Sequence, residues 1–166
     1  MVIKLYIILM NKLTDKKKEA ELRYEKLKQE KEKALRQKHE TVKGIVDTIK
    51  NKPKFIKLLE YSLHSMDTMI TPPNKDIRIN SKVIIQEQGV ESLKIVTDNN
   101  LSNEQIITKV CIILSKLLGE PIDKEIALIF IEKAGHELVF EMIFSKQPSD
   151  SSVYLVKILH SLASVP

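Results

Sequence analysis

Two glycines 46 residues apart, Gly89 and Gly135, recur in matching surroundings, and this recurrence restricts the fold more than any other feature of the chain. Around the first, Val83 to Gly119 reads as a short helix, a turn at Gly89, a second helix to Val96 and a longer third helix. The polar loop Thr97-Asp98-Asn99-Asn100 is expected to precede that third helix, with Ser102 and Gln105 as a capping box and Leu101 stapled onto Ile106. Ile106, Ile107, Val110, Ile113, Leu114, Leu117 and Leu118 then form a wide apolar stripe at helical spacing. Around the second glycine, KAGHELVFEMI lies over EQGVESLKIV, and Gln147-Pro148-Ser149-Asp150 is the corresponding loop. Leu114 and Leu117 map onto Leu159 and Leu162 at a shift of 45. A register constant to within one residue over two helices predicts two copies of one helical unit. Neither copy can bury its apolar faces alone, so they must stack.

Repeats of about 40–47 residues with two or three helices are those of HEAT and armadillo arrays. The chain resembles armadillo repeats through Ile84-Ile85, Gln88-Gly89-Val90, Leu93, Val96 and Leu114-Ser115-Lys116-Leu117-Leu118. The second unit contributes Ile131, Ala134-Gly135, Leu138-Val139 and Leu159-His160-Ser161-Leu162-Ala163. About half the chain carries the resemblance. It implies an α-solenoid acting as a protein-binding scaffold. Armadillo proteins that grip extended peptides have a Trp and an Asn on the third helix. Here Lys116 and Ser161 stand at the Asn position and the chain has no Trp, so an asparagine ladder is not expected.

The fold class expected is therefore all-α: a long charged N-terminal helix followed by a short armadillo-like α-solenoid. Residues 1–10 form an apolar segment, 11–52 a long basic helix, and 53–166 the repeats, with a partial unit at 53–76 and units at about 77–120 and 121–166. With four glycines and no strand-turn-strand pattern, a β-rich fold is excluded. Residues 1–10 are too few to span a bilayer, so no membrane span is expected; burial on a partner or an upstream start codon explains them better than membrane contact. A helix start at Thr14 leads into a run of good helix formers that Pro53 ends. Its heptad positions are too polar for a two-stranded coiled coil. From Val42 onward the apolar spacing tightens through Phe55 to Ile70, and Asp76 to Gln86 opens the next unit.

Net charge is +5, and all of it falls between Lys12 and Lys43. Charge confined to one element points to an acidic partner. Lys16, Lys17, Lys18, Lys26 and Lys28 are the candidate contacts, against the plainer reading of a solvated helix braced by pairs such as Glu19–Arg23 and Glu32–Arg36. Between Lys12 and Lys43 there are only two arginines and one tyrosine, Tyr24, so a protein or filament surface fits better than a nucleic acid. Leu155, Ile158 and Leu162 are the other candidate contacts, because the last helix has apolar residues on more than one face and a short array ending there is expected to need a neighbour.

Sites for chemistry are sparse. The histidines His39, His64, His136 and His160 lack zinc spacing, and no glycine-rich phosphate loop, GxSxG or GxGxxG occurs. Cys111, the single cysteine, lies in an apolar stripe as a buried small residue would. Glu87, Glu91, Glu137 and Glu141 suit the starts of the second helices better than an acid/base pair. The reading is of a non-enzymatic adaptor without cofactor or metal, docking protein partners in a larger assembly; the alternative is a binder of an acidic polymer through the basic helix. The pattern also resembles scaffold proteins of cilia and microtubule arrays, which implies a cytoplasmic location, at the cytoskeleton or cilium.

Overall fold

A computed structural model describes residues 2–119, 122–145 and 149–163, with side chains from Lys16 onward except at 149 and 150. Among the described residues there are eight α-helices and no strand: α1 (Val2–Asn51), α2 (Ile56–Met69), α3 (Ile77–Gln86), α4 (Gly89–Asn100), α5 (Glu104–Leu118), α6 (Lys124–Glu132), α7 (Gly135–Phe144) and α8 (Ser149–Ala163). The chain divides between Gln37 and Lys38 into two compact units.

The first unit is helical backbone. Helix α1 passes through Thr14 without a break, so residues 2–10 belong to the same helix as the basic run and the helix does not start at Thr14. No proline or glycine precedes Gly44, and nothing else in the run would stop a helix. Whether 1–10 is buried falls outside the described side chains. From Lys16 to Gln37 every side chain is exposed. Of the two expected bracing pairs, Glu19–Arg23 forms at 2.6 Å and Glu32–Arg36 does not.

The second unit begins at Lys38, well before Pro53, because Val42, Val46 and Ile49 of α1 are fully or almost fully buried in one core with Leu59, Leu63 and Met66 of α2. Helices α3, α4 and α5 form one group and α6, α7 and α8 another. They meet helix for helix: α6 against α3, α7 against α4, α8 against α5, and α5 in turn against α2. Apolar stripes are what bring them together, and Ile84, Leu93, Ile107, Ile113, Leu114 and Phe130 are wholly buried. Ion pairs cross three of these contacts: Lys116–Asp67 at 2.6 Å, Lys82–Glu125 at 2.5 Å, and Lys94–Glu141. Lys82–Glu125 and Lys94–Glu141 lie near the surface and add little stability, while Lys116–Asp67 is half-buried; together the three favour one register.

Local geometry repeats between the two groups. Gln88 and Ala134, 46 apart, are both left-handed, at φ 64° and 57°. The residue before the glycine therefore makes the turn. Gly89 and Gly135 are needed instead for close approach: an added Cβ would stand 2.5 Å from Ile84 Cγ2 and 2.4 Å from the Phe130 ring. Two buried asparagines tie down helix ends. Asn80 donates to the Met69 carbonyl at 2.7 Å and Asn100 to the Pro53 carbonyl at 3.0 Å.

Three expectations about helix ends are corrected. Thr97 to Asn100 is the last turn of α4, not a loop; Thr97 and Asn100 are buried, and their side chains bond back to the carbonyls of Leu93 and Val96. Asn103, not Ser102, caps α5, accepting from the Ile106 N–H at 3.3 Å, and Leu101 is half exposed rather than stapled. The true turn is only Leu101-Ser102-Asn103, which brings the cap one residue later. Of the expected loop at 147–150, residues 147 and 148 lie outside the described residues, while Ser149 and Asp150 already belong to α8.

Candidate binding groove

Between α3, α5, α6 and α8 the second unit opens a groove of about 760 Å³. Its floor is apolar and comes from helix ends and faces: Ile70 closes α2, Leu117 and Leu118 close α5, and Ile126 lies in the first turn of α6. Among the described residues, four cations line it, Lys75, Arg78, Lys116 and Lys157, with Asp123 as the one acid. Tyr154 stands one turn before Lys157 on α8, partly buried against the core.

Each charged group is placed by a feature of the local chain. Gly119, at φ 80°, takes the chain out of α5 just after Lys116, with its N–H on the Lys116 carbonyl at 3.1 Å. Asp123 caps α6, accepting from the N–H groups of Glu125 at 3.0 Å and Ile126 at 3.2 Å. Arg78, in the first turn of α3, pairs with Asp123 and reaches Glu125 at 3.3 Å. Lys116 bonds Asp67 at 2.6 Å and Thr71 at 3.0 Å. Lys75 and Lys157 are exposed, and neither has an ion-pair partner among the described residues.

Burial pushes the Asp123 carboxyl up, but the Ile126 N–H and the Arg78 charge together outweigh it, and its pKa ends below the ordinary carboxylate value. A depressed folded pKa stabilises the fold at pH values above the unfolded one. That contribution should fade as pH falls through the acid range below the ordinary value of 3.8. Thermal melts from neutral pH downward are expected to show a steeper acid loss for the wild type than for Asp123→Asn, whose stability is lower at neutral pH.

The sequence candidates fare unequally. Lys16, Lys17, Lys18, Lys26 and Lys28 are all exposed on α1, where a partner could reach them. Leu155 and Ile158 are not available to a partner. Both are buried to 1 % exposure, because α8 turns the stripe Ser151, Leu155, Ile158 onto its neighbours α5 and α7. Leu162 is partly buried, and the large apolar residues α8 leaves exposed are Val153 and Val156.

Sequence reasoning missed the groove. Lys75, Lys116 and Lys157 recur every 41 residues, a signal visible in the chain, but an alignment at 45 or 46 does not superimpose them. Cys111 is fully buried; burial pushes its thiol up to about 12, against a smaller opposing effect of Ser151, so it carries no thiolate at neutral pH. Among the described residues no group of three His, Cys, Asp or Glu side chains is placed to hold a metal ion, and no helix is long and apolar enough to cross a membrane.

What fold and groove define is an all-helical protein with a cationic recess in its helix-on-helix body. Compared with protein-family models, curated proteins and solved structures, the chain matches none.

Proposed function

We propose that this protein is a non-enzymatic adaptor, an armadillo-like helical-repeat module that docks protein partners within a larger cytoplasmic assembly, such as one at the cytoskeleton or cilium. The observation that carries this reading is the pairing of α6, α7 and α8 with α3, α4 and α5 in the same order, with the turn geometry of Gln88 and Ala134 repeated at 46 residues. Stacked units of this sort build extended surfaces, not enclosed catalytic pockets. Full-length protein recovered from its own cells is expected to travel in a particle well above the 19.1 kDa of the chain. A particle of monomer size, at low salt and in fresh extract, ends the adaptor reading.

A second reading concerns how the contact is made, and the uniform exposure from Lys16 to Gln37 favours it: the basic stretch of α1 meets an acidic surface. Several lysines acting together raise the rate of encounter with such a surface. Changing Lys16, Lys17, Lys18, Lys26 and Lys28 to Glu should reduce recruitment at least about tenfold, since like charges are then opposed. Helical content should not change. Wild-type recruitment should also weaken as ionic strength rises from ~0.01 M to ~0.1 M, where screening shortens from about 30 Å to about 10 Å. Indifference to both changes would leave α1 a spacer.

A further inference from the structure

We infer that the groove between α3, α5, α6 and α8 receives an acidic segment of a protein partner, its carboxylates on Lys75 and Lys157 and one bulky apolar side chain on the floor. This rests on the adaptor reading and names the chemistry of what the repeats would hold.

The charge distribution carries the argument. From Lys38 to Pro166 the chain has 16 basic and 16 acidic residues, so the body is neutral. The groove is not: among the described residues, four that line it are cationic and one is acidic. Arg78 is engaged by Asp123 and Glu125, and Lys116 by Asp67 and Thr71. Among the described residues, that leaves Lys75, in the turn after α2, and Lys157, on α8, as the lining cations without an acidic partner, available to an incoming anion. Such an excess within a neutral body is charge complementarity awaiting a negative ligand.

The remaining lining residues narrow the class of that ligand. Behind the lysines, the apolar lining still open to solvent is Pro72, exposed, with Ile77 and Tyr154, partly buried, over a base of buried Ile70, Leu117 and Leu118; an apolar side chain would cover it, as anchoring residues do in protein interfaces. A single-stranded nucleic acid is a poorer fit. Among the described lining residues Tyr154 is the one aromatic, where successive bases would need successive stacking platforms, and the one arginine is already paired. A bilayer surface is poorer still, since the cations border a recess and do not crown a bulky apolar face. A peptide carrying carboxylates on both sides of a large apolar residue meets both features at once.

Fluorescence anisotropy with a labelled octapeptide, acidic at both ends and with Leu-Phe at its centre, tests this on the full chain. Wild type is expected to bind it, and the double variant Lys75→Glu/Lys157→Glu to bind at least about tenfold more weakly. An equal charge change outside the groove, Lys57→Glu/Lys133→Glu, should stay within about twofold, because the surface charges it alters are screened from the groove. The peptide with Gln for every acid should bind as weakly as the groove variant allows. Circular dichroism verifies that each variant is folded; should the groove variant not fold, Lys75→Gln/Lys157→Gln takes its place. The proposal is overturned if wild type does not bind the peptide, or if the groove variant binds within twofold of it. It is equally overturned if an oligothymidine 20-mer or vesicles containing phosphatidylserine bind more tightly than the peptide and displace it. The five-lysine α1 variant separates the two readings. It should keep the peptide while losing recruitment, whereas failure of the adaptor reading shows as monomer-sized protein in extract whatever the peptide does.

Discussion

Replacing Leu155 with Ala is expected to cost about 2–5 kcal/mol, and Ile158→Ala a similar amount. A domain of ordinary stability has only about 5–15 kcal/mol to lose, so either change should move the unfolding midpoint visibly. Both side chains are 1 % exposed and belong to the core shared by α5, α7 and α8. Truncation removes apolar contact and leaves a cavity that the neighbouring helices cannot fully close. Val153 and Val156 are 59 % and 62 % exposed on the same helix, and cutting either to Ala should stay within about 0.5 kcal/mol. Urea unfolding of the full chain, followed by circular dichroism, measures all four. Equal costs at Leu155 and Val156 would mean that α8 presents a different face to the body. The contrast bears on function as well, since a partner covering this end of the chain would meet Val153 and Val156 rather than the leucine and isoleucine.

Sequence periodicity told more about helices than about their ends. The stripe from Ile106 to Leu118 forecasts α5 because each of its members is buried, and apolar spacing reads burial directly. Caps depend on a single residue, and neighbouring Ser102 and Asn103 are both good ones; only the length of the preceding helix decides between them. Asn100 shows why that length was hidden. Its side chain serves Pro53, 47 residues away, a long-range bond that holds polar residues in a helix where composition suggests a loop. The face of α8 was illegible for a related reason: Leu155, Val156 and Ile158 are equally apolar, and which of them is buried depends on where α5 and α7 stand. The groove was harder again. Its cations come from the turn after α2 and from three helices, α3, α5 and α8, and counted along the chain they vanish into a neutral total.

The two turn glycines should respond to substitution in different ways, although the sequence presents them as equivalents. Gly89→Ala and Gly135→Ala are each expected to destabilise by about 1–3 kcal/mol, the usual range for overpacking. Alanine's better helix propensity, worth at most ~1 kcal/mol, offsets part of this. At Gly135 the obstacle is a side chain: the added Cβ meets the wholly buried Phe130 ring at 2.4 to 2.6 Å. A smaller residue there removes the obstacle, so Phe130→Leu should cost less in the Gly135→Ala background than in the wild type, with a coupling of about 0.5–3 kcal/mol. At Gly89 the Cβ meets Ile84 Cγ2 and also the Ile84 carbonyl oxygen, both at 2.5 Å. Trimming the side chain by Ile84→Ala clears the methyl and leaves the carbonyl, which α3 holds in place. Little rescue is therefore expected at Gly89. Double-mutant cycles by urea unfolding measure both couplings. Matching rescue at the two sites would show that α3 yields as readily as a side chain does, and that the Gly89 turn is not held by its backbone.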